Sequence, residues 1–209
     1  LIICNNVLAH VPDINDFVKG LKILLSKTGV ITIEFPHLME LIQHNQFDTI
    51  YHEHFSYFSF FVIKKILETN NLKIFDVEKI PTHGGSLRLY CTHLENKKFE
   101  INNSVSDLLK SEEQIGMNNI EYYQNFSKIV SNTINEFTKF CYNLKKEGKT
   151  IVGYGAPAKA NTLLNCCNLT SDTIDYVVDL SPHKQKLYLP GSHIHIKSPD
   201  MIKKSKPDY

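Results

Sequence analysis

Apolar residues open the chain as a nearly continuous run over residues 1–9, broken by the polar pair Asn5-Asn6, and this reads as a buried strand. After the loop His10-Val11-Pro12-Asp13, apolar positions recur at Ile14, Phe17, Val18, Leu21, Leu24 and Leu25. That is the spacing of one helix face, with Asp13 a suitable N-cap. Thr28-Gly29 ends the helix, and residues 30–35 form a second strand closed by Pro36. Strand, crossover helix and strand of this length predict a βαβ unit, which belongs in a parallel sheet. A unit that begins inside its first strand leaves that strand without neighbours, so the chain reads as the C-terminal part of a larger protein.

Further along, residues 37–45 suit one or two helical turns, and residues 59–70 a short amphipathic helix capped by Ser59. Residues 72–77 and 86–92 read as strands joined through Pro81, Thr82, His83, Gly84 and Gly85. Residues 95–117 are rich in Asn, Ser and Lys and read as a linker. A long polar helix follows over residues 118–147, with Phe126, Ile129, Val130, Ile134, Phe137 and Phe140 on one stripe and Gly148 at its end. Beyond it the pattern is α/β again: strands at 150–152 and 173–179, a helix at 157–164, a turn at Leu189-Pro190-Gly191 and an extended piece at 194–196. The expected organisation is the tail of one α/β domain over 1–94, a linker over 95–117, and a second, smaller α/β domain over 118–209.

Composition narrows the function classes. At 209 residues the chain suits one large domain or two small ones, since domains run to roughly 100–200 residues. Lys and Arg number 23 against 22 Asp and Glu, a net charge of +1. This argues against a sequence-independent nucleic-acid binder, which carries a basic excess. No apolar run approaches the ~18 residues of a membrane span, and no basic segment of a secretory signal precedes the first strand. Five cysteines, with no C-x-x-C pair, fit reduced thiols and a cytoplasmic setting.

Two groups of residues could carry chemistry. The first is Tyr51-His52-Glu53-His54, backed by His10 at the end of the first strand. Ligands of doubly wound sheets sit outside the carboxyl ends of the strands, where His10 and the loop after Phe35 both open. Tyr, Glu and two His within four residues can remove a proton and stabilise the resulting anion, and an imidazole is a base suited to neutral pH. A packed aromatic–His turn with no chemistry is the alternative. As metal ligands His52 and His54 stand at i, i+2 with Glu53 facing away, a set with no evident further partner.

The second group is the turn Gly153-Tyr154-Gly155-Ala156-Pro157-Ala158-Lys159-Ala160-Asn161, between a strand and a helix. Glycines let the backbone approach a phosphate, and the helix start supplies free N–H groups. Pro157 suits the first helical turn, and Lys159 can reach an anion from it. Gly153, Gly155 and Ala158 satisfy the G-x-G-x-x-A dinucleotide fingerprint, with Asp179 near the spacing of a ribose-binding acid. The alternative is a tight connection that binds nothing.

The run over residues 5–59, which includes AHVPD at 9–13 and YHEH at 51–54, resembles the S-adenosylmethionine-dependent sugar C-methyltransferases that act on nucleotide-linked 4-keto-6-deoxy sugars. VGYGAPAKANTLLN (152–165) and the run over 174–196 resemble that family's C-terminal domain. The resemblance implies the C-terminal part of a class I, Rossmann-like methyltransferase domain followed by a smaller Rossmann-like α/β domain that holds the sugar nucleotide. It implies His54 as the base, Tyr51 and Glu53 as residues that orient the substrate or polarise its ketone, and His10 as an aid to the enolate oxygen. Asn6 is the residue expected to touch S-adenosylmethionine. Gly153, Tyr154, Gly155, Ala156, Lys159 and Asn161 are expected to bind a nucleotide sugar, with dTDP as the expected nucleotide. Zinc is expected only in an N-terminal module that has no counterpart in this chain. Two other readings remain: an NAD-dependent dehydrogenase using the Gly153 turn, and a non-catalytic nucleotide-sugar-binding module.

Overall fold

The βαβ unit forms from β1 (Ile2–Asn5), α1 (Ile14–Leu24) and β2 (Ile31–Pro36), with the two strands parallel and Cys4 opposite Ile33. Asp13 caps α1, its carboxylate accepting the Asp16 N–H at 3.0 Å. The first strand is shorter than the apolar run that announces it. Asn6 takes φ 53°, a left-handed conformation that asparagine tolerates, and Leu8–His10 closes into a 3-10 turn. This computed structural model describes Leu1–Tyr209, in two compact units: Leu1–Gln46 with His52–Phe126, and Phe47–Tyr51 with Ser127–Tyr209.

In the first unit α2 (Leu38–Gln43) and α3 (Phe60–Thr69) follow, and Ser59 Oγ caps α3 by accepting the Val62 N–H at 3.2 Å. The hairpin β3 (Leu72–Ile80) and β4 (Ser86–His93) completes a sheet of order β1-β2-β4-β3. β4 lies antiparallel to β2, so a parallel pair is extended by an antiparallel one. Ile31, Ile33, Phe35, Leu87 and Leu89 on this sheet form a core with Val18 and Leu21 of α1 and Phe60, Ile63 and Leu67 of α3. Each such buried side chain contributes about 1.5–3 kcal/mol of transfer free energy.

The stretch 95–117 departs from the linker reading. It contains α4 (Asn103–Gln114), whose Val105 and Leu108 join the same core. Composition misleads here because a helix with one narrow apolar stripe is polar on average. The wet residues outnumber the buried ones.

α5 (Ile120–Lys146) carries the chain into the second unit, to which its residues from 127 onward belong. There β5 (Val152–Tyr154), β6 (Tyr176–Val178) and β7 (Ile196–Lys197) form a parallel sheet in that order, with α6 (Ala158–Cys166) after β5 and α7 (Asp200–Ser205) after β7. Cys141 and Leu144 of α5, Leu164 of α6, Val177 and Ile196 close its core. Pro157 stands at the N-cap of α6, just before the first turn expected for it, with extended backbone at φ −78° and ψ 165°. β6 is shorter than the apolar run around it, and the flanking carboxylates bond main-chain N–H groups: Asp175 takes Ile151 and Asp179 takes Ala156, each at 2.8 Å. No helix is long and apolar enough to cross a membrane.

Candidate active site

His10 stands on the 3-10 turn that follows β1, at the carboxyl end of the parallel pair. The segment carrying Glu53 and His54 is tied to that turn by its main chain: Phe55 and Ser56 donate N–H groups to the Ala9 oxygen at 2.8 and 3.3 Å. His10 Nδ1 lies 2.8 Å from the Glu53 main-chain oxygen. A carbonyl oxygen only accepts, so Nδ1 carries a hydrogen, and in the neutral ring Nε2 carries the lone pair.

The same fastening brings the His10 and His54 rings together, centroids 4.8 Å apart and tilted by 52°. Tyr57 meets His54 edge-on at 5.5 Å. Tyr57 has no role in the sequence analysis; its spacing of three from His54 is the signal that could have found it. His52 and Glu53 are exposed, and Glu53 joins the arrangement through its main chain. Tyr51 belongs to the segment Phe47–Tyr51, grouped with the second unit, whereas His10, Glu53 and His54 belong to the first.

Asn6, directly after β1, has a side-chain oxygen, Oδ1, that is buried and accepts no hydrogen bond. Its N–H is engaged by the Glu34 oxygen at 2.9 Å, which holds the left-handed turn in place. A buried acceptor without a donor is costly, so it fits a ligand that brings an N–H or O–H to the edge of the sheet.

In the second unit the Gly153 turn lies between β5 and α6. A Cβ at Gly153 would come within 2.8 Å of Val177 Cγ1, and Gly155 adopts φ 96°, so both positions require glycine. The turn already holds an anion from its own chain. Asp179 accepts the N–H groups of Ser181 and Ala156, each at 2.8 Å, and these bonds together with Lys184 keep its carboxyl below the usual range. Lys184 also donates to the Ala156 oxygen at 3.0 Å. The N–H of Ala156 is therefore engaged, and Asp179 is a clamp on the turn. Around it Lys159 is exposed and forms no ion pair, Tyr154 is 71% exposed, and Asn161 Oδ1 is buried with no partner.

No three His, Cys, Asp or Glu side chains are grouped to hold a metal ion. A mixed α/β sheet with this edge is consistent with a methyltransferase domain, and residues 1–77 match the family model described as a methyltransferase domain. Residues 81–209, more than half of the chain, match the model described as the C-methyltransferase C-terminal domain. The chain belongs to that C-methyltransferase family. It is 35% identical over 201 residues to C-methyltransferase NovU of Streptomyces niveus, a match that covers 96% of this chain and 48% of the relative. The chain thus spans about half the length of the curated relative it matches.

Proposed function

We propose that this chain is part of an S-adenosylmethionine-dependent C-methyltransferase that acts on a nucleotide-linked 4-keto-6-deoxy sugar, at the carbon beside the ketone. The observation that carries the reading is the pair of imidazoles, His10 and His54, 4.8 Å apart at the carboxyl end of the parallel strands. A C–H next to a ketone yields its proton to a positioned base when donors meet the developing enolate oxygen. His54 is that base. His10, with its Nδ1–H on the Glu53 carbonyl oxygen, aids the developing enolate oxygen. Tyr51 and Glu53 orient the substrate or polarise its ketone.

S-Adenosylmethionine, when bound, supplies an electrophilic methyl group. Asn6 is the residue this chain offers it, through the unpartnered Oδ1. The second unit is a Rossmann-like domain that holds the nucleotide part of the substrate, a dTDP group in this reading. Gly153, Gly155 and Ala156 shape the turn, Lys159 meets the diphosphate, and Tyr154 and Asn161 offer a ring face and an acceptor. A cytoplasmic setting accords with five unpaired thiols. The dehydrogenase reading is disfavoured because Asp179, its ribose-binding acid, is engaged by the turn itself.

The test uses the complete gene product. Solvent deuterium entering the carbon beside the ketone reports enolisation without methyl transfer. His54→Asn should abolish that exchange and lower turnover at least ~100-fold, the low end for general base catalysis, while His52→Asn retains both. Exchange that survives His54→Asn and disappears with Tyr51→Phe or Glu53→Gln assigns the base elsewhere.

A further inference from the structure

Glu112, in the stretch whose composition suggests a linker, is the most deeply buried carboxylate of the chain at 1% exposure. It accepts three hydrogen bonds. His37 Nε2 and the Phe60 N–H reach Oε1 at 2.7 and 2.6 Å, and the Phe61 N–H reaches Oε2 at 2.9 Å. His37, also 1% exposed, follows β2 directly and is tied down in its turn. Its N–H donates to the Gly85 oxygen at 3.0 Å, the neighbouring Leu38 N–H donates to the Phe58 oxygen at 3.0 Å, and His37 and Phe58 pair as a parallel bridge.

We infer that Glu112 and His37 are positioning residues for the segment that carries His54. A buried carboxylate–imidazole pair is a poor source of net stability, because desolvation offsets the attraction. What this pair supplies is direction. The first N–H groups of a helix have no partner within it; Ser59 caps one in α3, and Glu112 takes two more, so the carboxylate sets where α3 begins. His37 fixes the same carboxylate to the end of β2, the strand beside His10. At its other end the segment is held by Ala9 and His10. Residues 53–61 are thus fastened on both sides of His54, one fastening local to the 3-10 turn and the other running through α4. Neither Glu112 nor His37 touches the reacting atoms. It acts on the angle and height of the His54 ring.

The inference rests on the reading of His54 as the acting base, and its test separates the two. Glu112→Gln keeps the shape, removes the charge and leaves one acceptor for three donors. Leu108→Ala, one turn earlier on α4, opens a cavity in the core and leaves all three hydrogen bonds to Glu112 in place. In the complete gene product, Glu112→Gln should speed amide hydrogen exchange over residues 53–61 about tenfold or more, as a lost charge-assisted bond implies. Leu108→Ala should lower the melting temperature and leave exchange in that segment unchanged. This arm holds whatever reaction the protein catalyses. In the activity arm, Glu112→Gln should lower kcat by about tenfold or more at unchanged KM, since misplacement on the ångström scale costs up to about 10²-fold. Leu108→Ala should keep kcat per folded molecule. If Glu112→Gln does not fold, His37→Gln, which leaves the two main-chain bonds in place, reads the same quantities. Wild-type exchange over 53–61 in either folded variant, or a kcat loss matched by Leu108→Ala, overturns the inference. An unmutated protein that transfers no methyl group overturns the function and leaves the exchange arm decisive.

Discussion

His10 Nδ1 stands 2.8 Å from the main-chain oxygen of Glu53, a residue 43 positions later in the chain. One bond therefore sets both the tautomer of His10 and the place of the loop that brings His54 beside it. The two effects separate by substitution. Asparagine at position 10 keeps an N–H where Nδ1 lies but has nothing where Nε2 lies; leucine has neither. His10→Asn should lower kcat and keep the melting temperature close to that of the unmodified protein. His10→Leu should lose in addition about 0.5–1.5 kcal/mol of stability, the usual net worth of a hydrogen bond. Thermal melts and steady-state kinetics decide, and equal melting temperatures for the two variants would remove any fastening role from this bond.

Asn6 combines a left-handed backbone with a buried, unpartnered Oδ1. Asn6→Gly keeps the backbone allowed and deletes only the amide. The KM for S-adenosylmethionine should rise by up to about tenfold, matching the 0.5–1.5 kcal/mol of one hydrogen bond. An unchanged KM means that the cofactor makes no contact with Oδ1.

Two lysines flank the Gly153 turn with different duties. Lys184 is committed to Asp179 and the Ala156 oxygen, whereas Lys159 forms no ion pair. Lys159→Ala should weaken dTDP binding by about 1–3 kcal/mol, the range for a charge-assisted contact. Titration calorimetry measures it. Undiminished affinity would make Lys159 an ordinary surface lysine and put the diphosphate elsewhere.

Acid should loosen the second unit through specific carboxylates. Asp179, bonded by Ser181 and Ala156 N–H groups, and Asp208, bonded by the N–H and hydroxyl of Thr150, are both held below the usual carboxylate range. In the unfolded chain they take up protons near the ordinary value of about 3.9. Their stabilisation is therefore complete above that value and is lost as pH falls through the lower folded values. Urea midpoints measured from pH 7 to pH 3 should drop more steeply for the unmodified protein than for Asp179→Asn. Parallel curves would show that Asp179 contributes nothing to the acid response.

What was legible in the amino-acid order is what neighbours in sequence decide. Helix α1 with its Asp13 cap, the Ser59 cap of α3 and the strand–turn–helix order at Gly153 are all marked by residues within a few positions of one another. Periodicity and capping chemistry are sufficient for them. The His10 and YHEH motifs were likewise visible as candidate chemistry, because residue type alone marks them.

Tertiary structure decided everything that depends on a distant partner. The order β1-β2-β4-β3 sets the second strand of the hairpin against β2, a choice no local pattern expresses. Asp179, legible as a ribose acid by spacing, became a clamp once folding carried it 2.8 Å from the Ala156 N–H, 23 residues earlier. Glu112 shows the limit most plainly. Its partners lie 75, 52 and 51 positions away, and in sequence it is one charge among polar neighbours. A carboxylate belongs on the surface unless three donors meet it inside, and only the folded chain assembles those donors.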